Sequence, residues 1–561
     1  MSVNIPCLVA VIILYILILI IGIVAARKTN KAKDAEEVMI ANRNIGLWLG
    51  LFTLTASNIC GGYINGTAEY AAFYGLLQTQ APVGYCIGIV LSGLFMAPKM
   101  RREKYVTLFD PFQLKYGRKM GALLIIPHMV GELFWSASVL AALGGTISII
   151  VDIDPTISII VSSLIAIVYT FLGGLYAVAY TDVIQMVLIV IGLVLACPFA
   201  VTSEHVHFEN ITTSAWLGEV GAGTELAYLD TLLLLSFGGT TWQPLYQRGL
   251  LVHVSASISA SLYISEFCLF IFQPLYQRVL ASKNIRVAVL SCYGAAVISL
   301  VLAIPPMVLG YAGAAADWNS TTYEGPLPIP DDRKSYILPM TLNYLVPLPV
   351  SIIGMSAICA AVMSSADSCF LSSSTIFAKN IYKDILRRKA TDRELMWVLR
   401  VCIILFGVLG TLVAVFATTI YGLFVLACDL MYVVLFPQLV CVLWVPWANT
   451  YGSFAGFLVS FLLRILSGDA VLQIPAAIKF PLYDYSTDSQ LFPFRTLAML
   501  SGLFCILVFS GLTHVLFTRG HLDVRYDVFK CHRKRTHQKK DLAEMDVSSN
   551  LKEELINAVK S

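Results

Sequence analysis

The sequence predicts an all-α polytopic membrane protein. Of its 561 residues, 58% are hydrophobic and only 13% are charged, whereas soluble domains carry about 25% charged residues. Thirteen apolar segments are long enough to be read as membrane-spanning helices. One of them contains glycines, asparagines and a carboxylate, which indicates a helix that is broken for a function. The net charge of +3 and the lack of a basic–aromatic motif argue against nucleic-acid binding.

The predicted spans follow one another through most of the chain. The first span is read as a true span and not as a signal peptide, because it is about 20 residues long and lacks a basic leader. We predict a transmembrane domain over residues 1–520 and a tail over 521–561. The spans cover residues 5–26, 45–69, 76–98, 121–149, 157–177, 181–201, 226–247, 287–312, 345–378, 398–417, 420–444, 449–466 and 495–518.

Loop charges predict the orientation of these spans. Lysines and arginines cluster after the first, third and ninth spans and in the tail. With thirteen spans these clusters share one side, which the positive-inside rule assigns to the cytoplasm. The N-terminus is then outside and the C-terminus cytoplasmic. The sequons at Asn210 and Asn319 fall outside, where N-glycosylation can occur.

One stretch does not fit this order. The string QPLYQR at residues 243–248 recurs verbatim at 273–278, and residues 249–272 between the copies are apolar enough to span. A further span would move the later basic loops outside and Asn319 inside. We therefore interpret residues 249–278 as an anomalous insert or duplication, such as a translated intron or a gene-model error. A real insertion would have to form a re-entrant or peripheral hairpin.

The broken span carries the string ASNICGGYINGTAE at residues 56–69. A glycine inside a helix costs about 1 kcal/mol relative to alanine, and unpaired backbone groups in lipid cost several kcal/mol. A helix that breaks here exposes carbonyl groups, and a cation is the most plausible partner for them. This pattern is typical of a secondary transporter.

Ionisable residues inside spans are functional candidates, because their burial in lipid is costly. They are Glu69, Glu132, Asp182, Asp367, Asp429 and Arg464, and the alternative for each is structural pairing or a water-filled helix end. Ser364, Asp367 and Ser368 share one helix face by their spacing. Hydroxyls and a carboxylate at this density suit sodium. The alternative is serine packing between helices, which a serine pair beside an intramembrane aspartate does not favour.

Aromatic residues form a third group. Tyr85, Trp135 and Trp242 each interrupt an apolar span beside polar or small residues. Most intramembrane aromatic residues pack the core or anchor the interface. If these three converge on one cavity, they would form a cation–π cage for a quaternary ammonium group.

Several strings resemble the sodium/solute symporter family. They include GGYINGTAE at 61–69, DPFQ at 110–113, GELFW at 131–135, AYTD at 179–182 and AVMSSADS at 361–368. The resemblance runs from about residue 5 to 520. It implies an inverted repeat of five plus five helices around two broken helices, and alternating access instead of enzymatic catalysis.

The resemblance also implies the roles of particular residues. Sodium would be held by the carbonyls of Ala56, Ile59 and Ala361 and the hydroxyls of Ser364 and Ser365. A further sodium site in some relatives matches Asp182, Asp367 and Ser368. Substrate contacts would come from Asn58, Tyr85, Trp135 and Trp242, of which the last three match the aromatic cage of members that carry choline.

Choline is therefore the first expected substrate, with chloride as an additional expected ion. Members that carry choline have a tryptophan where this chain has Asn58, and a lost cage wall is worth about 1–2 kcal/mol. An asparagine favours hydrogen-bonding groups, of which choline's hydroxyl is one. The alternatives are a sodium symporter of another small polar solute and a non-transporting paralogue that acts as a sensor or assembly partner.

The resemblance suggests the plasma membrane as location, including presynaptic terminals and synaptic vesicles, with choline supplied for acetylcholine synthesis. The tail string EELI at 553–556 resembles an internalisation signal that endocytic adaptors bind. A short amphipathic or disordered end is the alternative. Membrane lipid surrounds the spans, and whether the chain forms a homo-oligomer stays open.

Overall fold

Apolar segments dictate the architecture, which is helical in a computed structural model of the chain. The structure describes residues 4–29, 47–102, 107–172, 175–210, 212–218, 220–221, 223–238, 285–417, 419–486 and 489–531. In the first half of the chain the helices are α1 (Ile5–Thr29), α2 (Leu47–Asn58), α3 (Gly61–Tyr74), α4 (Ala81–Leu91), α5 (Ala97–Arg102), α6 (Asp110–Tyr116), α7 (Arg118–Val151), α8 (Pro155–Leu172), α9 (Leu175–Val201), α10 (Thr213–Leu217) and α11 (Glu225–Phe237).

The second half continues in the same way. Its helices are α12 (Ile285–Val301), α13 (Ile304–Ala314), α14 (Ile337–Tyr344), α15 (Leu348–Ile376), α16 (Asp392–Val415), α17 (Ile420–Leu430), α18 (Phe436–Trp444), α19 (Thr450–Leu466) and α20 (Phe494–Thr518). π-helical turns at Ser92–Met96, Phe377–Leu386 and Met431–Leu435 extend or join neighbouring helices. Two short antiparallel strands, β1 (Tyr483–Asp484) and β2 (Ser489–Gln490), form a hairpin between α19 and α20.

Each of the thirteen predicted spans overlaps a helix in the described part of the chain. Eight helices there are long and apolar enough to cross a membrane, by length and composition, and three shorter apolar helices accompany them. The repeated strings, the insert 249–278 and the end of the span 226–247 lie outside the described residues, as does the tail beyond residue 531.

The core lies around α7, α15 and α17. α7 packs against α3, α8, α15, α16 and α17, and α15 also packs along α9. The apolar window of the α17–α18 span is 89% buried, whereas that of α20 is 17% buried. An apolar helix that exposes most of its surface is expected to face lipid, so the peripheral helices complete the picture of a membrane bundle.

The break in the second predicted span is shorter than the sequence suggested. Only Ile59 and Cys60 separate α2 from α3, and the helix resumes at Gly61. The glycines that suggested unwinding lie inside α3, where they permit close packing instead. A Cβ at Gly61 would collide with Val362, one at Gly62 with Ser138, and one at Gly66 would lie 2.7 Å from a ring carbon of Tyr421.

Candidate functional site

The helix break leaves carbonyl groups without intrahelical partners. The Ile59 amide donates to the Thr55 carbonyl at 3.0 Å, and across the break the Ile64 amide donates to the Cys60 carbonyl at 2.9 Å. The carbonyls of Ala56 through Ile59 lie between these two bonds, at the C-terminal end of α2, where a helix carries partial negative charge. The Cys60 thiol caps α3 by accepting from the Tyr63 amide at 3.1 Å. The break thus presents oxygen atoms suited to a cation.

Asn58 ends α2 and is buried, with 4% of its surface exposed. Both polar atoms of its amide lack a hydrogen-bond partner among the described residues. A buried donor or acceptor left unpaired costs about 1–3 kcal/mol, so native proteins rarely retain one without a reason. The Asn58 side chain is therefore a candidate for contact with a polar ligand.

Helix α15 brings a row of hydroxyls against the break. The Ser57 hydroxyl lies 3.1 Å from that of Ser368, which links α2 directly to α15. The Ser368 hydroxyl donates to the Ser364 carbonyl at 2.9 Å, and that of Ser365 donates to the Ala361 carbonyl at 3.1 Å. A hydroxyl that donates its proton keeps lone pairs for a cation.

Two predicted carboxylates contact this region from neighbouring helices. The Ser364 hydroxyl donates to Asp182 Oδ1 on α9 at 2.5 Å. Asp367 lies on α15, and its Oδ1 accepts from the Thr170 hydroxyl on α8 at 2.6 Å. Both carboxylates are fully buried. The structure brings Asp182 to Ser364, and it joins Asp367 to Thr170, a residue that sequence reasoning did not single out.

An aromatic cluster lies beside the break. The Tyr85 and Trp135 rings are 6.5 Å apart, edge to face, and Phe424 packs against both, at 5.1 Å from Tyr85 and 4.9 Å from Trp135. A Cβ at Gly62 would lie 3.2 Å from the Phe424 ring, so the cluster contacts the start of α3. Aromatic faces bind cations, and most strongly where water is excluded. Trp242, the third predicted aromatic residue, lies outside the described residues.

Phe424 was missed in the sequence because it is one apolar residue in an apolar helix. The same holds for Tyr421 on α17, whose ring stacks on Tyr70 at 3.7 Å between centroids. The one signal for these two residues in the sequence was their spacing of three positions along an apolar helix. It places Tyr421 and Phe424 on a common face.

Charged residues predicted inside spans divide into separate groups. Glu69 accepts from the Thr419 hydroxyl at 3.2 Å, and Glu132 accepts from that of Ser372 at 3.3 Å. Asp429 and Arg464 form a buried ion pair at 2.5 Å, as the structural alternative anticipated. They belong to a larger group that we call the charged cluster: Asp230, Asp429, Arg464, Asp469 and Arg495.

The two predicted sequons lie in neighbouring loops. Asn319 is exposed in a short 3₁₀ turn, Trp318–Ser320, and Asn210 ends another, Phe208–Asn210. The His207 amide donates to the Ala315 carbonyl at 3.0 Å, and the Asp317 amide donates to that of His205 at 2.8 Å. These loops therefore lie at the same end of the bundle, as a common side of the membrane requires.

A helix broken beside a set of oxygen donors, within an apolar bundle, is typical of a membrane transport protein. The family model of the sodium:solute symporter family matches residues 38–460, and the chain belongs to this family. It is 45% identical to the High-affinity choline transporter 1 of Drosophila melanogaster over 94% of this chain and 82% of that protein. It is 42% identical to the human protein of that name, over 94% of this chain and 89% of the relative.

A solved structure shows the same fold. It is that of a Na+-coupled sialic acid symporter in a substrate-bound, outward-open state, with a TM-score of 0.67 and 18% identity. The match covers 90% of this chain and 98% of that chain.

Proposed function

We propose that this protein is a sodium-coupled choline symporter of the plasma membrane that works by alternating access. The observation that carries the proposal is the aromatic cluster of Tyr85, Trp135 and Phe424 beside the helix break. Choline's trimethylammonium group cannot donate hydrogen bonds, so aromatic faces are its natural partners. Relatives named as high-affinity choline transporters at 42–45% identity support the same substrate.

Sodium is the proposed coupling ion. Carbonyls of Ala56, Ile59 and Ala361 and the hydroxyls of Ser364 and Ser365 would coordinate it, since hard cations prefer oxygen ligands. Supporting this, the two hydroxyls donate to neighbouring acceptors and so direct lone pairs elsewhere. A second sodium position at Asp182, Asp367 and Ser368 is part of the proposal, and it would lie on the same face of α15.

In the proposed cycle, sodium ties α2 to α15 through ligands that both helices supply. The aromatic cluster then holds the organic cation, and the bundle rocks to open the other side.

The proposal includes thirteen spans in an inverted repeat, an external N-terminus, a cytoplasmic tail, glycans at Asn210 and Asn319, and chloride dependence. It also includes Trp242 as a third cage wall and presynaptic choline supply for acetylcholine synthesis.

Uptake measurements test the function. Cells that express the chain are given labelled choline in sodium medium and in medium with sodium replaced by lithium. We expect saturable uptake in sodium alone, and a choline affinity weaker by about five- to thirtyfold in Trp135→Ala, which removes one wall worth about 1–2 kcal/mol. A matched control is Trp397→Ala, because Trp397 is 62% exposed on α16 and its ring contacts Arg400. Normal surface expression without any flux would indicate the non-transporting paralogue instead.

Asn58 favours a second candidate, a symporter of another small polar solute. Its buried amide, with no partner among the described residues, offers a donor and an acceptor. In a choline transporter these would bind the substrate hydroxyl. In the alternative they would bind a hydroxyl or primary amine on a different solute.

The variant Asn58→Trp separates these two candidates. For choline, a tryptophan adds an aromatic wall worth about 1–2 kcal/mol, which is about five- to thirtyfold in affinity. The half-saturating choline concentration is expected to fall by that factor. Competition by tetramethylammonium, which lacks the hydroxyl, is expected to strengthen as well. Unchanged choline affinity, with another polar solute displaced by the tryptophan, would favour the second candidate.

A further inference from the structure

A buried histidine and a buried glutamate face each other inside α7. His128 and Glu132 are four residues apart, and both are fully buried. The His128 Nε2 lies 3.5 Å from Glu132 Oε1, at the outer limit of a hydrogen bond. Pro127 lies directly before His128 in the same helix. Neither side chain has a part in the proposed sodium site or the aromatic cluster.

The surroundings of this pair provide few other polar contacts to the histidine. The Ser372 hydroxyl on α15 donates to Glu132 Oε1 at 3.3 Å, and the Phe109 ring lies 5.3 Å from the imidazole. Neither ring nitrogen of His128 has a hydrogen-bond partner within the described part of the chain. A buried, unpartnered imidazole is costly, and the nearest group that could relieve it is the Glu132 carboxyl.

We propose that His128 and Glu132 form a proton-binding site, in which the Glu132 carboxyl carries one proton and donates a hydrogen bond to His128 Nε2. One proton in this place gives the imidazole lone pair a donor and neutralises the carboxylate. A neutral pair avoids the cost of buried charge in a membrane interior. A proton suits this place better than a metal ion, because no group of three or more His, Cys, Asp or Glu side chains that could hold a metal is found among the described residues.

The position of the pair connects it to the transport path. Glu132 lies three residues before Trp135, and therefore on the same face of α7, one turn away. Ser372 lies one turn beyond Ser368 on α15. The pair thus lies between the aromatic cluster and the end of the bundle where the Lys379 ammonium binds Asp110 at 2.9 Å. Opening of that end would admit water to the pair.

Several titratable groups on the neighbouring helices have contacts of their own. Asp384, in the π-helical turn Phe377–Leu386, interacts with Lys379 and Asp110. The Cys369 thiol of α15 interacts with Glu132 directly. Elsewhere around α7, carboxylates are bound by hydroxyl or cationic groups, and one guanidinium lies over aromatic rings. These groups are Asp110 with Lys379, Asp367 with Thr170, Asp182 with Ser364, Asp429 with Arg464, Glu69 with Thr419, and Arg400 with Phe171 and Trp397.

Proton linkage gives the site a predictable effect. In water an imidazole titrates near pH 6.5 and a glutamate near 4.3, so a hydrated pair holds no proton above about pH 6.5. The dry pair holds one. Acidification therefore favours the dry, closed conformation over the hydrated one, by up to about tenfold per pH unit above pH 6.5. The effect fades below that pH, where the hydrated histidine is itself protonated.

Infrared difference spectroscopy tests the site without any transported solute, and so independently of the proposed function. The full chain in lipid nanodiscs is titrated from pH 6 to pH 10. We expect a protonated carboxyl band that shifts in D₂O, is absent in Glu132→Gln, and titrates differently in His128→Gln. If wild-type protein shows no such band, or if Glu132→Gln retains it in full, the proposal is wrong.

Transport provides the second measurement. In cells clamped at internal pH 7.5 or 6.5, wild-type uptake is expected to slow at the lower pH by up to about tenfold. Glu132→Gln, which mimics the protonated carboxyl, is expected to remove this dependence. His205→Gln changes a histidine in an exposed loop and should retain it. An identical pH dependence in Glu132→Gln would overturn the linkage, and if that variant does not reach the surface, the infrared result decides.

Discussion

Arg464→Gln is expected to destabilise the protein more than Asp429→Asn, although the two residues form one ion pair. The charged cluster contains three carboxylates and two guanidinium groups. Removal of the Asp429 charge leaves two carboxylates and two guanidinium groups. Removal of the Arg464 charge leaves three carboxylates with Arg495 alone.

The contacts set the magnitudes. The Arg464 Nε donates to Asp429 at 2.7 Å and its Nη1 to the Gly468 carbonyl at 2.8 Å, and Nη2 also binds Asp469. Its side chain is 7% exposed, so solvent screens it little, and loss of one partner from a buried pair costs about 3–5 kcal/mol. Arg495 is 20% exposed and can turn toward water. We therefore expect about 1–3 kcal/mol for Asp429→Asn, the cost of lost hydrogen bonds.

Thermal unfolding in lipid nanodiscs, followed by tryptophan fluorescence, measures the order of the two variants. Arg525→Gln is the control, because the Arg525 side chain is 86% exposed beside Asp523 and exposed pairs contribute little. The control should melt at the wild-type temperature. If the two cluster variants lose equal stability, or if Asp429→Asn loses more than Arg464→Gln, the argument from charge balance is wrong.

Three further changes give separable results. Asp182→Asn keeps an acceptor for the Ser364 hydroxyl but removes the charge, so the sodium concentration for half-maximal uptake should rise about tenfold, or 1.4 kcal/mol; an unchanged value would separate Asp182 from sodium binding. Gly62→Ala gains about 1 kcal/mol of helix propensity but crowds Ser138, which costs about 1–3 kcal/mol; a melting temperature above that of the wild type would contradict this packing. Phe424→Leu removes one aromatic wall worth about 1–2 kcal/mol, so choline affinity measured by uptake should fall about five- to thirtyfold; no change would place the cation elsewhere.

The helical segments could be predicted because a membrane-spanning helix can be identified from the apolar composition of its sequence alone. Each predicted span overlaps a helix in the described residues, since any apolar run of such length must satisfy its backbone internally. The location of the break was also predictable. Its extent was not, because a glycine that unwinds a helix and one that admits a neighbouring helix have the same letter in the sequence.

Partners between distant helices could not be predicted from spacing. Ser364 and Asp182 are 182 positions apart, and Thr170 and Asp367 are 197 apart, so only tertiary packing brings them together. The charged cluster shows the same limit. Asp429 could be identified from its apolar surroundings, whereas Arg495 lies at a helix start, where a charged residue looks ordinary.

The three glycines of α3 have a consequence for how such transporters diversify. Gly61 faces α15, Gly62 faces α7 and Gly66 faces α17, so any side chain at these positions moves one of three helices. Replacement of these glycines would therefore disturb helix contacts, whereas Asn58, at the end of α2, is buried with both polar atoms of its amide unpaired among the described residues. A single replacement there could redirect the carrier to a new solute while the helix contacts around it remain intact.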